Sequence, residues 1–206
     1  MSILSLRRRF EEEEDEEPKK QQKPEDALAE RFLKTRTILL AGEIDKDQGE
    51  KVIRQLLLLE GISATKPINL LIDSPGGDVD AGFAIFDMIR FVKPPVRIVG
   101  MGLVASAAAL VLIAVPKERR LGLPNSHYLI HQPLSGIRGV ATEIEIHARE
   151  LEKTRERINR IIADQTGQTL ERIQKDTDRD YWMNAEEALA YGLISRIGAS
   201  RADLSL

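Results

Sequence analysis

Strand-like and helical patterns alternate along this chain, and the alternation constrains its fold more than any other feature. The runs TILLAGEI (Thr37 to Ile44), INLLID and PVRIVGM are apolar and strand-like, and RRLGLP and HYLIHQP add two further strand-like runs. Helical patterns separate the first three runs. Because strand–helix–strand alternation favours parallel pairing, the sequence predicts an α/β fold built from βαβ units.

Two helices are predicted between the first three strands. Asp47 is expected to cap the first helix, which runs through Leu59 and stops at Gly61. The second helix follows Gly76 and Gly77, and its apolar residues recur at helical spacing on one face: Val79, Phe83, Phe86 and Ile89. Each helix therefore has one side suited to packing against a sheet.

Two more helices are predicted in the second half of the chain. A polar loop from Leu134 to Val140 precedes a long helix from Thr142 to about Asp164, which Thr142 and Glu145 are expected to cap reciprocally. A short last helix, Ala185 to Tyr191, is expected to begin after Asn184 and end at Gly192. The long helix carries an apolar stripe made of Ile144, Ala148, Leu151, Ile158 and Ile162.

Length and composition predict one folded domain with a tail at each end. The chain has 206 residues, of which 42% are hydrophobic, enough for a single core. Residues 31–198 are predicted to form the domain, and residues 199–206 a C-terminal tail. Residues 1–30 include the charged run Glu11 to Asp26, which lacks large apolar side chains. This N-terminal tail is therefore expected to be largely disordered.

Composition also argues against several kinds of site. The chain has no Cys, which rules out disulfides and thiol nucleophiles, and its three His are too scattered to indicate a metal site. The net charge is -3, with basic residues interleaved among acidic ones, so nothing indicates nucleic-acid binding. The chain has no GxxxxGK[ST] phosphate loop, so any ATP would be used by a partner.

Two segments have features of membrane or targeting elements. Ile98 to Pro116 is an uncharged stretch of 19 residues, which is the length of a membrane span. Its glycines and alanines fit equally a strand, a tight turn and a buried helix, which is the interpretation we adopt. No long apolar core follows Met1 to Phe10, so this is not a secretory signal. We therefore expect no membrane contact and a cytoplasmic location.

Ser106 is a candidate nucleophile, and His131 follows it at the end of a strand-like run. Ser106 lies among small, apolar neighbours, after one strand-like run and at the start of a helical one. Unpaired N–H groups at a helix start can stabilise the oxyanion that forms when a serine attacks a carbonyl group. A serine chosen for its small size would fit the same position, so this residue alone does not decide between the two interpretations.

Four longer segments carry a family resemblance. They are IDSPGGDVDAGFAIFDMI (Ile72 to Ile89), LPNSHYLIHQPLSG (Leu123 to Gly136), ATEIEIHARE (Ala141 to Glu150) and DTDRDYWMNAEEALAYGLI (Asp176 to Ile194). In this order they resemble the signatures of the ClpP family, the proteolytic subunits of ATP-dependent Clp proteases, from about Phe32 to Ile197. The resemblance implies the spiral of βαβ units shared with the crotonase superfamily, with a protruding strand–helix handle after HQP.

The resemblance also assigns the site residues. It implies Ser106 as nucleophile, His131 as general base, Asp180 as the orienting carboxylate, and the N–H groups of Gly77 and Ala107 as the oxyanion hole. Adjacent glycines in SPGG allow backbone torsions closed to other residues and a close approach to a carbonyl group, although a plain strand-to-helix turn would use them too.

Each of these residues has a plainer interpretation when it is taken alone. His131 also fits a hydrogen-bonded core histidine, and Asp180 fits a helix cap or a partner for Arg179. His127 and His147 lack support from the motifs, and we interpret both as structural or surface residues. A serine hydroxyl needs a neutral imidazole to accept its proton and a carboxylate to orient that imidazole, so the functional interpretation requires all three residues to converge.

The resemblance implies a serine endopeptidase that cuts unfolded polypeptide to short peptides through an acyl-enzyme, without a metal or organic cofactor. It further implies self-association into two stacked heptameric rings, a homo-oligomeric tetradecamer fed by a AAA+ Clp ATPase. The handle would interdigitate with the opposite ring. The acidic residues of the N-terminal tail, Glu11 to Glu17, would then surround an axial pore, although a solvated tail explains them as well.

Two departures from the family pattern carry information. Ala107 stands where the family commonly has methionine, so the oxyanion N–H remains and a roomier pocket is expected beside it. Asn69 and Leu71 stand where the family commonly places aromatic residues of the groove that docks an unfoldase loop, whereas Phe91 keeps another aromatic residue of that groove.

Two other functions remain open. One is a structural or weakly active subunit of a mixed ring, which an intact set of Ser106, His131 and Asp180 argues against. The other is a crotonase-like acyl-CoA enzyme, which would also surround an oxyanion with two N–H groups but would need no Ser–His pair.

Overall fold

Three parallel strands joined by helices form one side of a sheet in the computed structural model, which describes residues 31–204. Strand β1 spans Thr37–Ala41, β2 spans Ile68–Ser74 and β3 spans Val96–Ala105. Helix α1 (Lys46–Ile62) joins the first two, and α2 (Val79–Phe91) joins the second and third. Both strand pairs are parallel, so the predicted βαβ units are confirmed.

The remaining elements follow β3 along the chain. The helices are α3 (Ala107–Leu112), α4 (Ala141–Thr166), α5 (Leu170–Asp176) and α6 (Ala185–Tyr191), with short 3-10 turns at Lys117–Arg119 and Arg201–Leu204. The strands are β4 (Arg120–Gly122), β5 (His127–Ile130), β6 (Tyr181–Met183) and β7 (Arg196–Ile197).

Strand β3 pairs with a different neighbour along each of its halves. Its residues Ile98 to Gly100 pair with β4, which continues to β7, whereas Leu103 to Ala105 pair with β5. Gly102, with φ +54°, lies between the two pairings. Strand β5 in turn pairs antiparallel with β6. The sheet therefore divides at β3, and one branch brings the ends of β3 and β5 next to the start of β6.

The first two helices pack closely because small residues meet at their contacts. Gly49 of α1 lies against Ala81 of α2, and Gly82 of α2 lies against Ala107 at the start of α3. A side chain at Gly82 would place its Cβ 3.1 Å from the Cβ of Ala107. The predicted inner face of α2 is confirmed, because Phe83, Phe86 and Ile89 are buried in the core.

Some predicted boundaries are wrong. Helix α1 is capped by Asp45 rather than Asp47, because the Asp45 carboxylate accepts a hydrogen bond from the backbone N–H of Gln48 at 2.7 Å. The helix also continues through Gly61 to Ile62. Strand β1 ends at Ala41 rather than Ile44, since Gly42 has φ +80° and turns the chain away.

The start of α4 also differs from the prediction. The helix begins at Ala141, follows Val140 and has no side-chain cap, so the predicted Thr142–Glu145 capping box does not form. The last predicted helix is confirmed: Asn184 and Glu187 cap each other reciprocally at the start of α6, and Gly192 ends it with φ +98°.

Helix α4 is buried along only part of its length. Its second half is held in the core by Ile158, Asn159 and Ile162. Ile144 of the apolar stripe is 43% exposed in the first half, so the stripe continues onto uncovered surface, and Ile146, on another face of the helix, is 55% exposed. Within the described residues, the segment 131–140 forms no strand. The helical part of the predicted handle is therefore present, whereas its predicted strand is not formed among residues 31–204.

The structure describes the chain near its C-terminal end but not its first 30 residues. Residues 1–30, with the predicted acidic tail, lie outside the described residues. Near the other end, the Asp203 carboxylate accepts hydrogen bonds from the backbone N–H groups of Ala199 and Ser200. Between residues 31 and 204, no helix combines the length and apolar character needed to cross a membrane.

Candidate active site

Ser106 occupies a sharp turn between β3 and α3. Its backbone has φ +55° and ψ -122°, a conformation that side-chain-bearing residues rarely adopt. The turn is held in place because the Ser106 N–H donates to the carbonyl of Leu129 at 2.9 Å, and the Ser106 carbonyl accepts from the N–H of Ala109 at 3.0 Å. A strained strand-to-helix turn of this kind exposes a nucleophile at the edge of a sheet.

The strand register brings His131 and Asp180 to the same edge. Ile130 of β5 pairs with Tyr181 of β6, so His131, which follows β5, lies beside Asp180, which precedes β6. Ala105 at the end of β3 pairs with Leu129, which places Ser106 next to the same strand end. Three residues far apart in sequence therefore meet because each lies directly at the end of a paired strand.

The three side chains form a chain of hydrogen bonds. His131 Nε2 lies 2.9 Å from Ser106 Oγ, and His131 Nδ1 lies 3.1 Å from Asp180 Oδ1. The His131 side chain is 16% exposed, whereas that of Asp180 is 61% exposed. The imidazole is thus set to take the serine proton at one nitrogen while the carboxylate accepts from the other.

The Gly76–Gly77 turn packs directly against this serine. A Cβ at Gly76 would lie 2.7 Å from the Cβ of Ser106 and 2.9 Å from the backbone nitrogen of Ala107. Gly77 has φ +145°, and a Cβ there would lie 2.3 Å from the carbonyl oxygen of Ile44. Both positions therefore require glycine, and the turn lies beside the first N–H of α3.

A cavity beside Ser106 and His131 has mainly apolar walls. Its other lining residues are Val79, Ala107, Ala109, Leu110, Ile130, Pro133, Ile158 and Ile162. Two of these, Ile158 and Ile162, come from the buried half of α4, so this helix contributes to the core and the cavity together. The cavity itself is small, about 20 Å³, which is little more than the space of one water molecule.

Sequence reasoning missed the residues that hold the Asp180 loop. The backbone N–H of Gln132 donates to the carbonyl of Thr177, and its side-chain Nε2 donates to the carbonyl of Asp178, both at 2.7 Å. On the other side of the loop, the hydroxyl of Tyr191 donates to Asp176 at 2.9 Å, and burial raises the pKa of Tyr191 so that it stays a neutral donor. Of these residues, only Gln132 could have been identified from the sequence, because it belongs to the HQP motif.

The other two histidines lie outside this constellation. His127 begins β5 with an exposed side chain. His147 Nε2 lies 2.8 Å from Ser135 Oγ, an exposed pair between the loop after His131 and helix α4.

Comparison with known proteins agrees with this geometry. The profile of the Clp protease family matches residues 20–201. A proteolytic subunit 2 of the ATP-dependent Clp protease from Treponema denticola is 66% identical over 180 residues, covering 87% of this chain and 90% of the relative. The corresponding Borreliella burgdorferi protein is 53% identical over 172 residues, with 84% and 87% covered.

A solved structure agrees at the level of the fold. A ClpP1 mutant from Listeria monocytogenes superposes with a TM-score of 0.81 and 49% sequence identity, covering 86% of this chain and 99% of that one. Because the family profile spans most of the chain and close relatives align along nearly their whole length, the chain belongs to the Clp protease family and is a serine protease of the ClpP type.

Proposed function

We propose that Ser106, His131 and Asp180 are the catalytic triad with which this chain hydrolyses peptide bonds in unfolded polypeptide. The observation that carries the proposal is the hydrogen-bonded series Ser106, His131 and Asp180, with separations of 2.9 Å and 3.1 Å. Family membership supplies the proteolytic reaction, and the geometry supplies the residues that perform it.

The reaction proceeds in two halves. Ser106 Oγ attacks the peptide carbonyl carbon while His131 Nε2 takes the hydroxyl proton, and Asp180 stabilises the imidazolium that forms. The imidazolium then protonates the leaving amine, the C–N bond breaks, and an acyl-enzyme remains on Ser106. Water, deprotonated by His131, attacks this ester and releases the second product with Ser106 restored.

The oxyanion is stabilised by backbone N–H groups in this proposal. The Ala107 N–H is the first of α3 and has no intrahelical acceptor, and Gly77 lies in the turn packed against it. Losing a single oxyanion donor typically lowers kcat by about 10²- to 10³-fold, so this pair is a major contributor. The side chain preceding the cleaved bond is proposed to lie against the apolar residues that line the small cavity beside Ser106.

Covalent labelling by a fluorophosphonate tests the proposed function. The reagent requires an activated serine, so a serine peptidase incorporates one label, on the peptide that contains Ser106. The sites are mapped by mass spectrometry after complete labelling. An unlabelled but assembled protein would instead identify a structural subunit, and acyl-CoA turnover without labelling would identify a crotonase-like enzyme.

The exposed half of α4 is proposed to join two rings of subunits. Ile144 and Ile146 lie on its uncovered surface, and Val140, directly before the helix, is 65% exposed. Ile144 and Ile146 are two residues apart and therefore lie on different faces of the helix, and uncovered apolar residues on both faces favour burial against another chain. In the same contact, the segment 131–140 would gain a partner strand from the other subunit. A pair of stacked heptamers would therefore both bury the exposed apolar residues of α4 and pair this segment.

We expect Ile146→Glu to weaken this assembly, because the interface would then bury an unpaired carboxylate. Multi-angle light scattering should report smaller particles for Ile146→Glu and the wild-type mass for Ile146→Val, which keeps the surface apolar. Unchanged mass and activity for the glutamate variant would place the ring contact elsewhere.

A second surface is proposed to receive a AAA+ partner. Asn69 and Leu71 of β2 line a cavity of about 250 Å³, together with Val99, Leu121 and residues 199–201. Phe91, which was predicted to belong to the same groove, lies at the end of α2 with 78% of its surface exposed. Phe91 is not among the residues that line this cavity. The lining is about half aliphatic, with four polar or charged residues, Thr37, Asn69, Ser200 and Arg201.

The cellular location, the position of the N-terminal tail and the absence of a cofactor are predictions. The cytoplasmic location and the axial position of the tail rest on the sequence and the resemblance. The proposed reaction needs no metal or organic cofactor, because the triad alone supplies nucleophile, base and charge stabilisation.

A further inference from the structure

The orienting carboxylate of the proposed triad is poorly shielded from solvent. The Asp180 side chain is 61% exposed, and within residues 31–204 its hydrogen-bond partner is His131. An exposed ion pair contributes little on its own, because water competes with it and side-chain entropy opposes it. The backbone that leads into Asp180 must therefore fix where its carboxylate lies.

Thr177 anchors that backbone from the side of helix α4. Thr177 is fully buried, and its Oγ1 lies 2.9 Å from the side chain of Asn159, which is 2% exposed, and 2.8 Å from the carbonyl of Ile173. The hydroxyl donates to Asn159 Oδ1, while the Ile173 carbonyl, which also lies within reach of the hydroxyl, accepts from the Thr177 backbone N–H at 2.9 Å. The pair then satisfies two buried polar groups at once.

Gln132 anchors the same backbone from the side of the catalytic histidine. It follows His131 directly and donates to two successive carbonyl groups, those of Thr177 and Asp178. Arg155 of α4 adds an ion pair to Asp178 at 3.4 Å. The segment leading to Asp180 is thus tied to the histidine through Gln132 and to the core through Asn159.

We propose that Gln132, Asn159 and Thr177 are positioning residues that set the distance between Asp180 and His131. This inference rests on the proposed triad and adds residues that do not touch the substrate. Thr177 is the junction, since its carbonyl faces Gln132 while its hydroxyl faces Asn159. A displacement of about 1 Å at a reacting group can lower a rate by about 10²-fold, so fixing this loop is a catalytic requirement.

Two nearly isosteric variants of the assembled protein test the proposal. Thr177→Val removes the hydroxyl, and Gln132→Met removes the amide donor. Thr166→Val and Gln48→Met are matched controls, because each also loses a side-chain bond to a backbone carbonyl, at the C-terminal end of α4 or on α1. Turnover of a fluorogenic peptide is measured per active site, counted by complete fluorophosphonate labelling.

We expect both test variants to lose about 10²-fold in kcat with KM within about twofold of the wild type, and both controls to keep both constants. Thr177→Ser keeps the hydroxyl and should restore most of the lost kcat. Equal losses in test and control variants would overturn the proposal, as would failure of Thr177→Ser to restore activity beyond Thr177→Val.

A double-mutant cycle separates positioning from general destabilisation. If Thr177 acts through Asp180, Thr177→Val should slow labelling in the wild type but have little further effect in an Asp180→Ala background. Additive slowing in that background would overturn the positioning role while leaving the triad standing. Absence of labelling at Ser106 in the wild type would instead overturn the triad, so the two failures are distinguishable.

Discussion

The Ser106→Ala variant is expected to lose peptide hydrolysis by about 10⁴- to 10⁶-fold, because the hydroxyl oxygen that forms the acyl-enzyme is gone. The fold should persist, since alanine keeps the Cβ and adds no steric demand at φ +55°. Steady-state turnover of a fluorogenic peptide with an apolar residue before the cleaved bond measures the loss. Light scattering on the same sample checks that the assembly is unchanged.

Ser135→Ala is the matched control for this prediction. Ser135 also lies within hydrogen-bond distance of a histidine, 2.8 Å from Nε2 of His147, but that pair is exposed and outside the proposed site. Because Ser135 lies in the segment proposed to join the rings, light scattering first checks that the control keeps the wild-type mass, and it should then retain wild-type turnover. If Ser106→Ala retained turnover within about tenfold of the wild type, Ser106 would not be the nucleophile.

Asp180→Asn is expected to lower kcat by about 10⁴-fold although it preserves the size of the side chain. An asparagine can turn its amide N–H₂ towards His131 Nδ1, which places the imidazole proton on Nε2. That nitrogen then no longer accepts the proton of Ser106. Because Asp180 is exposed, water weakens the attraction between its carboxylate and the His131 imidazolium, so the main role of Asp180 is to hold the imidazole in the correct tautomer.

The rate of Ser106 labelling and the turnover of peptide should fall together in Asp180→Asn, since both need the serine proton to move. Asp87→Asn, on the exposed face of α2, serves as the control and should leave both rates unchanged. A loss of less than about tenfold in the Asp180 variant would show that the ring is oriented without the carboxylate.

Local sequence signals predicted some element ends and missed others for identifiable reasons. Asn184, Glu187 and Gly192 define α6 without competition, so its limits were predicted correctly. At α1, Asp45 and Asp47 are both able to cap, and the choice falls to Asp45 because its carboxylate reaches the N–H of Gln48. Which of the two aspartates caps the helix depends on where the chain leaves β1, and no local sequence pattern encodes that point.

The site was predictable only through its longer motifs. Ser106, His131 and Asp180 each have a plain structural explanation when taken alone, and the ClpP-like segments selected them together. What the sequence did not contain is the strand register, Ile130 against Tyr181 and Ala105 against Leu129, that makes the three converge. The supporting residues Asn159 and Thr177 were missed because a buried amide and hydroxyl in helical segments resemble ordinary packing.

The handle shows a different limit of prediction. A strand was expected after HQP, and the segment 131–140 has none in the single chain. Backbone hydrogen bonds of a strand need a neighbouring strand, and none of the described strands pairs with this segment. We therefore expect this strand to form only when a second subunit of the proposed assembly supplies the neighbouring backbone.

The left-handed backbone at Ser106 also limits the evolution of this enzyme. At φ +55° a Cβ-branched side chain would crowd the neighbouring backbone, so threonine is a poor substitute at this position despite its hydroxyl. Cysteine is not branched at Cβ, so it is compatible with this backbone conformation. Substitution of the nucleophile can thus lead towards thiol chemistry but not towards a threonine peptidase, unless the whole turn between β3 and α3 is rebuilt.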